Sequence, residues 1–137
     1  MEIITNSAEE TKNLAKKLAG EFKGGEVIAL YGELGAGKTT FVQGFAEGMN
    51  ITSPILSPTF VLRRSYGGKL QLNHYDFYRL NSSEDVTKLA VEEDINPDTV
   101  TIIEWPDKVN FEHTNMKRIY FNYLEENKRK IRSEDIS

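Results

Sequence analysis

Cysteine is absent from the 137 residues, which removes any disulfide framework and any thiol for metal binding or nucleophilic catalysis. Histidine occurs twice, at His74 and His113, without the close spacing of a zinc-ligand pair, and this argues against a histidine metal site. No GxSxG elbow is present for a serine nucleophile. No apolar run approaches the ~20 residues that a membrane span requires. The opening "MEIITNSAEE" has neither the basic nor the apolar region of a signal peptide, so a cytoplasmic address without a membrane partner is expected. Excess positive charge is missing too. Lys and Arg number 17 against 21 Asp and Glu, a net charge of −4, which argues against broad electrostatic binding of nucleic acid. The dense basic run "NKRKIR", followed by "SEDIS", reads as a solvated C-terminal hairpin or tail. Repeats, low-complexity tracts and linker-like shifts are also absent, so residues 1–137 are expected to form a single domain. A chain of this size buries roughly 68–70% of its unfolded surface, enough for one core.

What is present is a sequence of short elements in a telling order. Ser7, with Glu10 three residues later, signals a capping box. Leu14, Leu18 and Phe22 continue at helical spacing, which predicts a first helix from Ser7 to Phe22, stopped by Gly24 and Gly25. "EVIALY", Glu26 to Tyr31, has the look of a buried parallel strand. Directly after it comes "GELGAGKTT", in which Gly32, Gly37, Lys38 and Thr39 occupy the fixed positions of GxxxxGK[ST]. Phe41, Val42, Phe45, Ala46 and Met49 then repeat at helical spacing, predicting a second helix that ends near Asn50. Gly44 and Gly48 inside it are read as allowing close packing against the sheet. "TFVLRRSY" and "KLQLNHYDF" flank Gly67 and Gly68 as a two-residue hairpin. A short helix is expected from Ser82 to Ile95, capped by Ser82 or Ser83. "TVTIIEW" reads as a second buried strand and "RIYFNYL" as an alternating one. Interleaved strands and helices predict an α/β fold, with helices on both faces of a mostly parallel sheet that carries antiparallel hairpin strands.

The glycine loop carries the chemistry. Glycines let such a loop curl so that successive backbone N–H groups, with the positive end of the following helix, face phosphate oxygens. Lys38 would reach the β and γ phosphates and Thr39 would place its hydroxyl on Mg²⁺. A bridging Mg²⁺ also calls for a carboxylate at the end of a nearby strand. Glu104 ends the apolar run "VTII" and is assigned to the metal, directly or through water; Asp76 ends the more polar "LQLNHY" and is assigned to orienting water or to supporting the metal's ligands, with an exchange of the two roles left open. Thr59, in "SPTF", sits where a switch loop would sense the γ-phosphate. For Trp105, core packing is the default expectation.

"GELGAGKTTF", "SPTF", "HYDFYRL" and "IIEWP", in this order, resemble the TsaE (YjeE) family of small bacterial P-loop ATPases, over about Ser7 to Lys108. The resemblance implies a P-loop NTPase fold, a three-layer α/β/α sandwich. It also implies ATP and Mg²⁺ as cofactors, and a supporting role for the TsaB and TsaD proteins that form threonylcarbamoyladenosine at position 37 of ANN-decoding tRNAs. Contact with tRNA would be indirect, through that complex. Carried over by residue, Gly35, Ala36, Gly37, Lys38, Thr39 and Thr40 hold the phosphates, and Thr39 and Glu104 hold Mg²⁺. Thr11 approaches the nucleotide, Thr59 belongs to the switch segment, and Asp76, Trp105 and Tyr78 to Leu80 belong to functional motifs. Arg129 aligns with an arginine near the nucleotide. From the residues alone, a small-molecule kinase and a non-hydrolysing nucleotide-dependent switch remain alternatives. Arg63, Arg64 and Arg79 are candidates for a charge-stabilising arginine, unless a partner supplies one.

Overall fold

A computed structural model describes residues 1–33, 35–55, 63–68, 70–78, 84–108 and 111–136. Thr59, Arg79, Leu80, Ser82 and Ser83, all singled out above, lie outside the described residues.

The elements run β1 (Glu2–Thr5), α1 (Ala8–Ala19), β2 (Val27–Tyr31), α2 (Lys38–Gly48), β3 (Arg63–Tyr66), β4 (Gln71–Asp76), α3 (Glu84–Asp94), β5 (Thr99–Glu104), a single 3₁₀ turn (Pro106–Lys108), β6 (Met116–Glu125) and β7 (Lys128–Ile136). The strands form one sheet in the order β1-β7-β6-β2-β5-β4-β3. Its centre, β6-β2-β5-β4, is parallel, while β7 and β1 on one flank and β3 on the other pair antiparallel. The apolar run of β2 is buried because both faces are covered. Ile28 and Leu30 pack beneath α1 and α2, whereas Val27 and Ala29 share a cluster with Val91 of α3 and Phe111. Three layers result, as expected of the P-loop fold.

Several boundaries depart from expectation. The α1 helix ends at Ala19, because the chain turns at Gly20; Ser7 does cap it, its hydroxyl accepting from the Glu10 amide at 3.0 Å. Glu10 reaches back one residue farther than a capping box requires, to the Asn6 amide at 3.0 Å. The β3–β4 connection is residues 67–70 rather than a two-residue turn. Close packing at Gly44 and Gly48 is against α1, not the sheet: a Cβ at Gly44 would lie 2.3 Å from the Lys12 carbonyl oxygen, and one at Gly48 2.5 Å from that of Lys16. The basic C-terminal run does form a hairpin with β6, but most of it lies in the nine-residue strand β7, which is inserted between β6 and β1 rather than left as a tail. No helix among the described residues is long and apolar enough to cross a membrane.

A polar knot fastens the end of α3 to the β3 flank. Tyr75 donates its hydroxyl to the Asp94 carboxylate, and Arg63 Nε donates to the same Asp94 Oδ2 at 2.7 Å. Arg63 also reaches Asn73 Oδ1 at 3.2 Å. Tyr75→Phe should cost about 2 kcal/mol in denaturant unfolding at pH 7, the net worth of one hydrogen bond to a charged group. Burial, aided by Asp94, raises the Tyr75 pKa above the ordinary tyrosine value of 10.0. The folded state therefore keeps a proton that the unfolded state releases, so this stabilisation is intact below pH 10 and is lost as pH rises beyond it. The gap between wild type and Tyr75→Phe should narrow at pH 11; an equal gap at both pH values would contradict the assignment.

Candidate active site

The site is built where β2 hands over to α2. Gly32, with φ 150°, lies so close to β6 that a Cβ would come within 2.8 Å of the Phe121 carbonyl oxygen. Gly37 takes φ 104° and forms the N-cap of α2, a conformation that side chains resist. The contrast with α1 is informative. Ser7 caps α1, and Glu9 and Glu10 complement its dipole, whereas α2 has no side-chain cap and no acid in its first turn. The first N–H groups of a helix have no intrahelical acceptor, so the start of α2 presents donors and positive potential to an incoming anion. Ala36 is buried beneath the loop, while Thr39 is exposed and Thr40 half-buried at that helix start.

Three charged side chains are buried together beside it. Lys38 is 4% exposed, Glu104 4% and Asp76 7%. The register explains the grouping. Asp76 and Glu104 are direct neighbours at the ends of parallel strands β4 and β5, and Glu104 also neighbours Leu30 of β2, the strand that runs into the loop. Alternation places Glu104 on the face of Ile102, and Asp76 on that of Leu72, which is the face covered by α2. Lys38 Nζ donates to the Gly32 carbonyl at 2.5 Å and lies 3.8 Å from the centre of the Trp105 ring. Burial lowers the Lys38 pKa, and the nearby carboxylates, Glu104 and Asp76 foremost, oppose that shift. Asp76 Oδ1 accepts from the Tyr78 amide at 2.9 Å. Glu104 Oε2 is bonded to Nε2 of the fully buried His74 at 2.6 Å.

Trp105 therefore faces the loop lysine rather than only filling core. Its φ of 59° is costly for a non-glycine residue and turns the chain directly after Glu104. Tyr78 packs against its ring at 5.0 Å. Of the candidate arginines, Arg63 is engaged by Asp94 and Asn73. Arg64 pairs with His74 across β3 and β4, and its Nε is buried without a hydrogen bond among the described residues.

On the other side of α2 lies a shallow cleft lined by Ser7, Ala8, Thr11, Gly37, Thr40, Asn127 and Arg129. Thr11 is buried there, sharing a 2.7 Å hydrogen bond with Thr5. Arg129 Nη2 donates to the Gly35 carbonyl at 3.1 Å, while Nη1 donates to the carbonyls of Glu125 and Lys128. The β6–β7 turn is thereby tied to the glycine loop. The structure thus gathers Lys38, Thr39, Asp76 and Glu104 at one end of the sheet, and Thr11, Gly37, Thr40 and Arg129 around an adjoining cleft. Ser7, Asn127 and His74 were not singled out for the site from sequence. Asn127 has φ 66°, a turn conformation that asparagine tolerates, and its position after an alternating strand was the available signal.

A family model described as threonylcarbamoyl adenosine biosynthesis protein TsaE matches residues 5–132. The tRNA threonylcarbamoyladenosine biosynthesis protein TsaE of Bacillus subtilis is 47% identical over 103 residues, a match spanning 74% of this chain but only 63% of that protein. The protein of the same name from Treponema pallidum is 39% identical over 80% of this chain and 81% of its own length. That from Nostoc is 39% identical over 93% and 81%. The crystal structure of Bacillus subtilis YdiB superposes with a TM-score of 0.85 at 32% identity, covering all of this chain and 86% of that one.

Proposed function

The chain belongs to the TsaE family, and we propose that it is a Mg²⁺-dependent ATPase whose turnover supports a TsaB–TsaD complex in forming threonylcarbamoyladenosine on tRNA. The observation that carries this reading is the uncapped, acid-free start of α2 beside one buried lysine and two buried carboxylates. A structural helix start would normally be capped, and buried charges are costly unless they serve binding or are paired.

The residues present fit a magnesium nucleotide. Thr39 offers an exposed hydroxyl, Glu104 a carboxylate with one oxygen held by His74, and the loop backbone from Gly35 to Thr40 a set of donors. Thr39 and Glu104 would hold Mg²⁺, which when bound neutralises charge on the β and γ phosphate oxygens. Lys38 adds a cation to the phosphates and withdraws charge from the bond to be broken. Asp76 orients the attacking water. Thr11, Thr40, Arg129 and Asn127 border the rest of the nucleotide in the cleft. A slow rate alone and a faster one with the partner complex are expected, because such sites gain from a charge supplied in trans.

Glu104→Gln tests the metal assignment. Hydrolysis with Mg²⁺ should fall roughly 10–100-fold, while ATP binding in EDTA stays within about twofold of wild type. The single tryptophan, Trp105, lies under Lys38 and supplies the fluorescence signal for binding. Undiminished hydrolysis by Glu104→Gln would remove Glu104 from the metal site.

A further inference from the structure

We infer that His74 is a positioning residue that fixes the Glu104 carboxylate in the orientation the metal site needs. The inference rests on the ATPase reading above and extends it to a residue outside the loop motif. His74 lies on β4 between Arg64 of β3 and Ile102 of β5, two residues before Asp76 and on the same face. Its ring is 0% exposed, and its Nε2 is 2.6 Å from Glu104 Oε2.

A buried carboxylate can rotate about its last bond and present either oxygen, unless a donor pins one of them. His74 pins Oε2 and leaves Oε1 for a ligand. The other ring nitrogen decides the tautomer. Nδ1 is buried with no hydrogen bond among the described residues. A buried N–H without an acceptor costs more than a buried lone pair without a donor. The ring thus carries its proton on Nε2 and donates it to Glu104. This is the arrangement by which outer residues orient metal-binding carboxylates, and removing such a partner weakens metal affinity about 10–100-fold. A histidine that served only to fill the core would have no need to meet the one carboxylate that ends the central strand β5.

The test compares His74→Leu, which keeps bulk but loses the donor, with His74→Gln, whose amide N–H reaches the place of Nε2. Trp105 fluorescence is followed while Mg²⁺ is titrated into protein with ATP, alongside the ATP affinity in EDTA and the unfolding midpoint. His74→Leu should raise the half-saturating Mg²⁺ about tenfold and leave metal-free ATP affinity within about twofold; His74→Gln should recover most of the loss. Unchanged Mg²⁺ dependence in both variants, with a normal response in wild type, would overturn the role of His74 alone. A wild type whose fluorescence ignores Mg²⁺ and ATP would instead sink the ATPase reading, and this inference with it. A loss that follows the unfolding midpoint and is not recovered by glutamine would make His74 merely structural. Should His74→Leu fail to fold, ¹⁵N NMR of the wild-type ring carries the test. A protonated Nε2, a bare Nδ1 and a shift on adding Mg²⁺ with ATP support positioning; a protonated Nδ1 or an unmoved ring contradicts it.

Discussion

Lys38→Ala should lower ATP hydrolysis by at least about 100-fold, the scale on which removing a single preorganised charge from a transition state is felt. The size of the effect follows from where the ammonium is held. It is buried, bonded to the Gly32 carbonyl and seated over Trp105, so it cannot be replaced by a neighbouring flexible lysine. Much of the cost of immobilising and desolvating that charge is met by the fold before a nucleotide arrives, which is why burial pulls its pKa down. Alanine also leaves Asp76 and Glu104, adjacent across β4 and β5, without their buried cation. ATP affinity should fall as well, because phosphates would then approach two carboxylates with no intervening positive charge. Lys38→Arg keeps the charge but not the compact shape, and should remain severely impaired. Phosphate release and Trp105 fluorescence measure the two effects separately. Wild-type hydrolysis by Lys38→Ala would show that this loop does no catalysis.

Gly44→Val should destabilise the fold by about 3 kcal/mol or more, at the top of the range for forcing atoms into a packed core. Gly44→Ala gives the sharper test, because propensity and packing predict opposite signs. In an isolated helix, glycine to alanine gains about 1 kcal/mol. Here the new methyl would stand 2.3 Å from the Lys12 carbonyl oxygen and 2.6 Å from its Cα. Those atoms are backbone, so no rotamer change relieves the contact, and α1 as a whole must move away from α2. Because Thr11, next to Lys12, and Thr40 line the same cleft, the displacement should also weaken nucleotide binding. Denaturant unfolding of both variants measures the first effect. A more stable Gly44→Ala would mean that the two helices are not held at this distance.

The legibility of the chain follows the range of its interactions. The glycine loop and its flanking strand and helix were readable because their determinants are contiguous: the apolar run of β2, the spaced glycines, and the stripe from Phe41 to Met49. Glu104 and Asp76 were readable as acids ending strands, although only the register β4-β5-β2 brings them together. The strand β7 was obscured by its charges, since the half-buried Lys130 and Arg132 alternate with Ile131, which packs in the core with α1 and α2. The four residues of β1 are too few to show a period, and Ile3 and Ile4 are both exposed. The bond between His74 and Glu104 joins residues thirty positions apart on neighbouring strands, which composition and spacing cannot register. Nor could the position of Gly44 against α1, or the reach of Arg129 to Gly35, be read before the sheet order was known.

The central claim is that this chain spends ATP on the turnover of a modifying complex. The direct measurement is the yield of threonylcarbamoyladenosine on an ANN-decoding tRNA over many rounds, using purified TsaB and TsaD proteins with and without this protein. Yield should continue to climb only with wild-type protein and hydrolysable ATP, and should stall after the first round without it or with Lys38→Ala. Equal multi-round yield in its absence would contradict the account.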